Sequence, residues 1–202
     1  EGLTVPVVYN SSGYEKPETL KMFAGLVQVY LPDFKYMSSD LAKCYSHCQN
    51  YPETAKLALE EMVRQAGAPR FDERGMIIGG VIVRHLLLPG HVSDSKRVVE
   101  YLYKTYGNQI YISLMNQYTP MPAMAADPLF SRKLTRREYE RLVDYALSLG
   151  VEQGFIQEGE TAQESFIPEF NGEGVEKGEG EDERKDTGKD ERKDPGEGKR
   201  KQ

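Results

Sequence analysis

The chain has 202 residues, 39% of them hydrophobic, with 32 acidic against 26 Lys and Arg side chains and a net charge of -6. That length allows one sizeable core and a tail, and the acidic balance offers no electrostatic basis for nucleic-acid binding. No run is apolar for long enough to span a bilayer, and two cysteines, Cys44 and Cys48, cannot build a disulfide framework, so a reducing, cytoplasmic setting without a membrane partner is the default expectation.

Residues 3–9, LTVPVVY, predict a Val-rich strand, and Asn10-Ser11-Ser12-Gly13 supplies turn chemistry at its C-terminal end. Residues 17–24 fit a short helix with Pro17 at its start. Residues 26–31 predict a second strand that runs into Pro32-Asp33-Phe34-Lys35. Strand side chains alternate, so Asp33 and Lys35 share a face if the extension continues. Ser38 or Ser39 can cap a helix running toward His47. Another helix is expected over 52–66, with Ala55, Leu59 and Met62 at helical spacing and Gly67 as its stop. Residues 75–88, GMIIGGVIVRHLLL, contain the third strand, closed by Pro89-Gly90. Asp94 is expected to cap a helix that reaches Tyr106. Residues 109–115 are the fourth strand. Thr135, with Glu138 three residues on, forms a capping box for a helix ending at Gly150. Phe155 and Ile156 suggest a last short strand.

This alternation predicts an α/β fold with a parallel sheet and right-handed crossovers. Such folds bind ligands at the C-terminal ends of their strands. Polar residues gather there: Asn10, Ser11 and Ser12 after the first strand, Asp33 and Lys35 after the second, Arg84 and His85 within the third, and Asn116, Gln117 and Tyr118 after the fourth. The body is expected over 1–171. Residues 172–202 repeat DERKD, alternate charge with Gly and carry no apolar face, so they are expected to be a disordered tail.

Asp33 and Lys35 can be a plain salt bridge at a strand end, or a pocket for a ligand with both a carboxylate and a cationic centre. A Schiff-base role for Lys35 needs burial or a neighbouring cation, and an acid two residues away works against it. Cys44-Tyr45-Ser46-His47-Cys48 begins like an iron–sulfur signature, but Tyr51 stands where a third cysteine would fall. Two thiols and a His on one helix do not complete a tetrahedral site. Either Arg84 or His85 must face inward in a regular strand: a His satisfied by backbone, or an Arg paired with an acid.

VVYNSSGYE, VQVYLPDFKY, VIVRHLLLPG, ISLMNQYTPM and SFIPEFNGEGV, in this order, resemble the radical S-adenosylmethionine (SAM) proteins of the pyruvate formate-lyase activating-enzyme-like group. The resemblance implies a (β/α)6 partial barrel, a [4Fe-4S] cluster and SAM, reductively cleaved to a radical that abstracts hydrogen. It implies a glycyl-radical enzyme or other protein substrate as partner, and an electron donor such as flavodoxin or ferredoxin. On this pattern Lys35 and Arg84 meet the SAM carboxylate region, Asp33 a cation or the amino side, and Asn10, Ser11 and Ser12 the turn beside SAM. Gln117 lies near the adenosine end.

The group's C-x3-C-x2-C motif and its Gly-Gly-Glu strand do not occur in these 202 residues. The chain therefore reads as the C-terminal part of such a barrel, with the cluster cysteines expected upstream of Glu1 and radical chemistry reserved for a longer chain. Two other readings compete: a cluster-free β/α-barrel lyase using Lys35, and a non-catalytic remnant.

Overall fold

A computed structural model of the protein describes residues 5–120 and 127–156, all within the first of two units, Glu1–Phe166. The expected tail over 172–202 and the SFIPEF segment lie outside the described residues. Five parallel strands form the sheet in the order β1 (Val8–Ser11), β2 (Val29–Pro32), β4 (Ile77–Leu86), β5 (Tyr111–Met115) and β6 (Gly154–Ile156). Between them run α1 (Pro17–Lys21), α2 (Ser39–Ser46), α3 (Tyr51–Ala66), α4 (Val92–Tyr106) and α5 (Arg136–Leu149). The fold is thus α/β with a parallel sheet. Each parallel strand is laid beside the previous one without reversal. With right-handed crossovers, such an order puts the helices on one face of the sheet.

The strand pattern agrees. On β4, Val81, Val83 and His85 are buried while Ile82, Arg84 and Leu86 are half-buried; on β5, Ile112 and Leu114 are buried while Tyr111, Ser113 and Met115 are half-buried. The apolar members of the buried set, Val81, Val83, Ile112 and Leu114, join Ala55, Leu59, Met62, Val98, Leu102, Leu142 and Ala146 of the helices in one apolar cluster. The other set looks away from the helices, and this opposite face carries the polar rim.

Local signals explain most boundaries. Ser38 caps α2, its Oγ accepting from the Leu41 amide at 3.3 Å. Thr135 and Glu138 form the expected capping box on α5. Glu138 also accepts from Arg132 and from the Gly90 amide, so it ties the start of α5 to the turn after β4. The Arg132 hydrogen bond, with help from Thr135 and Gly90, holds its carboxyl far below the usual carboxylate range.

Two expectations shift, and one element is new. The first strand lies at Val8–Ser11, because pairing with β2 begins at Val8↔Val29 and continues to Ser11↔Pro32. Asn10 and Ser11 therefore belong to the ladder and not to the turn. Asp94 does not cap α4: the helix begins at Val92, and Asp94 Oδ2 accepts from the Met37 amide at 2.9 Å. A two-residue strand, β3 (Arg70–Phe71), pairs antiparallel with β4 around a turn built on Asp72, which accepts from the amides of Arg74 and Met76.

His85 is the polar group on the helix side, 1% exposed. Its Nδ1 donates to the Phe34 carbonyl at 2.7 Å, and Nε2 has no hydrogen bond among the described residues. Burial lowers its pKa, against smaller opposing effects of the Phe34 carbonyl, Asp94 and Asp33. The fold therefore holds the neutral imidazole. A histidine depressed in this way contributes stability that is fully present above its unfolded value and is lost as pH falls through that value toward the lowered one. Denaturant midpoints should fall as pH drops below about 6.5, the ordinary histidine value. Half-buried His91, also lowered by burial, adds to the slope, and His85→Gln should flatten it. A slope unchanged in that variant would contradict the assignment. Thr135→Ala should lower stability by about 1 kcal/mol in the same assay.

Candidate functional site

At the C-terminal ends of β2, β4 and β5 a cavity of about 320 Å³ is lined by Asp33, Lys35, Tyr36, Arg84, Leu86, Leu88, Met115 and Gln117. Its composition follows from the period of two. Asp33 and Lys35 continue the open face of β2, Arg84, Leu86 and Leu88 that of β4, and Met115 and Gln117 that of β5. Extension persists past the formal end of β2, since Asp33 bridges Arg84 in parallel register and the Phe34 amide donates to the Arg84 carbonyl at 2.8 Å.

The charges are arranged differently from a simple Asp33–Lys35 pair. Arg84 Nη2 lies 2.7 Å from Asp33 Oδ1 and donates to Asn10 Oδ1, also at 2.7 Å. One guanidinium thus spans three strands. The Asp33 contact is ionic without hydrogen-bond alignment: Asp33 Oδ1 and Arg84 Nε are both buried and lack a hydrogen bond among the described residues. Lys35 Nζ makes no ion pair among them. Asp33 is paired with Arg84, and Lys35 lines the cavity without an ion-pair partner among the described residues.

Of the residues singled out from sequence, Asp33, Lys35, Arg84 and Gln117 line the cavity together, and Asn10 joins them through Arg84. Ser11 and Ser12 do not line it. Ser11 Oγ accepts from the Gly13 amide and donates to Glu15, and Ser12 contributes a carbonyl that accepts from the Tyr51 hydroxyl. Gln117 donates to the Met115 thioether, at 3.8 Å. The apolar wall of Leu86, Leu88 and Met115 and the ring of Tyr36 were not singled out. Strand alternation could have found the first three, whereas Tyr36 is out of phase with it.

Gly13 lets the rims of β1 and β2 approach. It has φ +74, and a Cβ there would stand 2.2 Å from the Asp33 carbonyl oxygen. Tyr51, buried at the start of α3, places its hydroxyl at the same junction. Burial pushes its phenol far above the ordinary tyrosine value, so it stays protonated.

The cysteines stand apart from the cavity: Cys44 is exposed on α2, so it does not serve as a packed apolar group, and Cys48 is half-buried against the core. Among the described residues no three His, Cys, Asp or Glu side chains come together as a metal site. No helix among them is long and apolar enough to cross a membrane.

Gly13→Ala should separate the two rims and destabilise the fold by more than about 1–3 kcal/mol, combining left-handed strain with a clash against backbone. A double-mutant cycle on Asp33→Asn and Arg84→Met should return a coupling of about 1–2 kcal/mol in denaturant titrations. Additive effects would mean that the two side chains do not interact in solution.

No family model matches the chain. It is similar to an uncharacterized protein of Methanocaldococcus jannaschii, 28% identical over 143 residues. The match covers 70% of this chain and 38% of that protein, so the chain spans well under half the length of its relative.

Proposed function

We propose that this chain is the C-terminal part of a radical SAM partial barrel, and that its rim cavity holds the methionyl end of SAM. The observation that carries the reading is the convergence of Asp33, Lys35, Arg84 and Gln117 on one cavity at the C-terminal ends of parallel strands. Each of the four is matched to the cofactor by the sequence resemblance alone, and strand ends are where β/α folds take ligands.

The residues fit an amino-acid zwitterion. Lys35 offers a point charge for a carboxylate. Arg84 Nε is a buried donor without a partner among the described residues, and such groups ordinarily have one. Asp33 Oδ2 takes no hydrogen bond among those residues and can face an ammonium group. Leu86, Leu88 and Met115 supply an apolar wall for a thioether chain. The cavity is at the small end of ligand sites, about 300–1,000 Å³, which suits the methionyl end with the nucleoside lying beyond it, toward Gln117.

When bound and reduced by one electron, the cofactor supplies hydrogen-atom abstraction. The residues of this chain bind and orient it. A [4Fe-4S] cluster does not fit them, for lack of thiolates near the cavity. Under this reading its ligands belong to chain outside these residues. The whole protein would then take its electron from a donor such as flavodoxin or ferredoxin and act on a glycyl-radical enzyme or another protein substrate.

A second reading, a β/α-barrel lyase with Lys35 as Schiff base, gains from one observation: Asp33 is engaged by Arg84, which leaves Lys35 without an ion-pair partner among the described residues and in the same cavity as a second cation.

Titration of the chain with SAM, followed by amide-resolved NMR, tests the first reading. Shifts should concentrate at Asp33, Lys35, Arg84 and Gln117, and Lys35→Met should weaken binding about tenfold, equivalent to about 1.4 kcal/mol. Absence of localised shifts at millimolar SAM, or equal binding by the variant, would sink it. Borohydride treatment with pyruvate should leave Lys35 unmodified; a reduced adduct on Lys35 would favour the lyase.

A further inference from the structure

We infer that Tyr51 is a positioning residue for the rim cavity, its hydroxyl setting where Lys35 stands and hence how well the site distinguishes a carboxylate from a neutral group. The inference rests on the reading of the cavity as a carboxylate site.

Three chain positions from two rims meet at one oxygen. The Lys35 amide donates to the Tyr51 hydroxyl at 3.0 Å. The hydroxyl faces the Ser12 carbonyl at 2.9 Å and the Asp33 carbonyl at 3.0 Å. A phenol has one proton, so the two carbonyls share it, and the oxygen accepts from Lys35. The ring cannot drift. Tyr14 stacks on it at 5.8 Å and 12°, while Phe34 and Tyr36 meet it edge-on at 6.4 and 5.6 Å. It is 3% exposed.

Lys35 is where such a fastening matters. The β2–β4 ladder delivers its last backbone bond at Phe34, to the Arg84 carbonyl. The Lys35 amide lies one residue beyond and bonds to the Tyr51 side chain in place of a strand neighbour. A lysine carries a point charge on a flexible stem. The reach of its ammonium into the cavity is therefore governed by where its main chain is held. The same hydroxyl fixes Ser12, which follows the Asn10 that shares Arg84 with Asp33. Tyr51 thus couples the position of Lys35 to that of Arg84.

The test compares Tyr51→Phe with Tyr30→Phe. Tyr30 is also buried and loses one hydroxyl hydrogen bond, to Gln65, away from the cavity. L-Methionine and its neutral carboxamide are the probes, titrated by NMR against each protein. Wild type and Tyr30→Phe should prefer the carboxylate by the same factor. Tyr51→Phe should lose about fivefold of that preference, the fold-change expected for one hydrogen bond. Its Lys35 amide should also exchange with solvent faster, while Arg84 exchange is unchanged. Equal weakening of both probes, or retention of the wild-type preference, would overturn the positioning role. A wild-type protein that prefers neither probe would overturn the carboxylate reading and this inference with it. Lys35 exchange accelerated by Tyr51→Phe would even then confirm the contact, separating the two failures.

Discussion

The Arg84 guanidinium, drawn between Asp33 and Asn10, is the constraint around which the rim is organised. Its two contacts, both at 2.7 Å, join β1, β2 and β4 at their C-terminal ends. Parallel strands laid down in sequential order bring those ends to one edge, so side chains far apart in sequence meet there without a dedicated loop. The pairing also decides the charge of the cavity. With Asp33 engaged by Arg84, Lys35 has no ion-pair partner among the described residues. Under the proposed reading, that makes it a site for an anion. Both functional readings make use of this, one with Lys35 as a binding charge and the other as a nucleophile.

Behind this edge lies a second layer of fastening that contains no charge. Gly13 permits the turn after β1 to touch the Asp33 carbonyl, and the Tyr51 hydroxyl satisfies the backbone groups at that junction. These contacts are short range and directional. They hold main chain, whereas the ion pair holds side chains. The helix-facing side of the sheet is held by apolar burial, with His85 as the exception that the fold keeps neutral. The apolar core and the charged rim thus lie on opposite faces of the same strands. Alternation makes this separation possible, since neighbouring residues such as Arg84 and His85 lead to different surroundings.

The relationship between sequence and structure is uneven in an instructive way. Helix termini with local chemistry were legible: Ser38 caps α2, and Thr135 with Glu138 caps α5. The Asp94 expectation failed because its carboxylate meets the Met37 amide, a partner 57 residues away that no local pattern announces. The hairpin of β3 went unseen because two residues are too few for a period, although Asp72 and Gly75 mark its turn. Four of the seven candidate site residues line the cavity, and a fifth reaches it through Arg84. Register with β2 moved the strand forward, and Ser11 bonds to its neighbours Gly13 and Glu15 while the Ser12 carbonyl meets the Tyr51 hydroxyl.

By itself, the sequence determined the order of the parallel strands and of the helices between them, the alternation of faces along each strand, and the polar character of the strand ends. These follow from short-range rules, a period of two or 3.6 residues and the chemistry of caps and turns. Only the tertiary structure decided which cation answers Asp33. Lys35 is nearer in sequence, but it is Arg84, 51 residues on, whose register across β4 brings its guanidinium to the carboxylate. Only the tertiary structure, too, brought Tyr51 from the start of a helix to the backbone of two strands. A hydrogen bond needs its partners within a few tenths of an ångström, and no local rule places side chains from separate elements that closely.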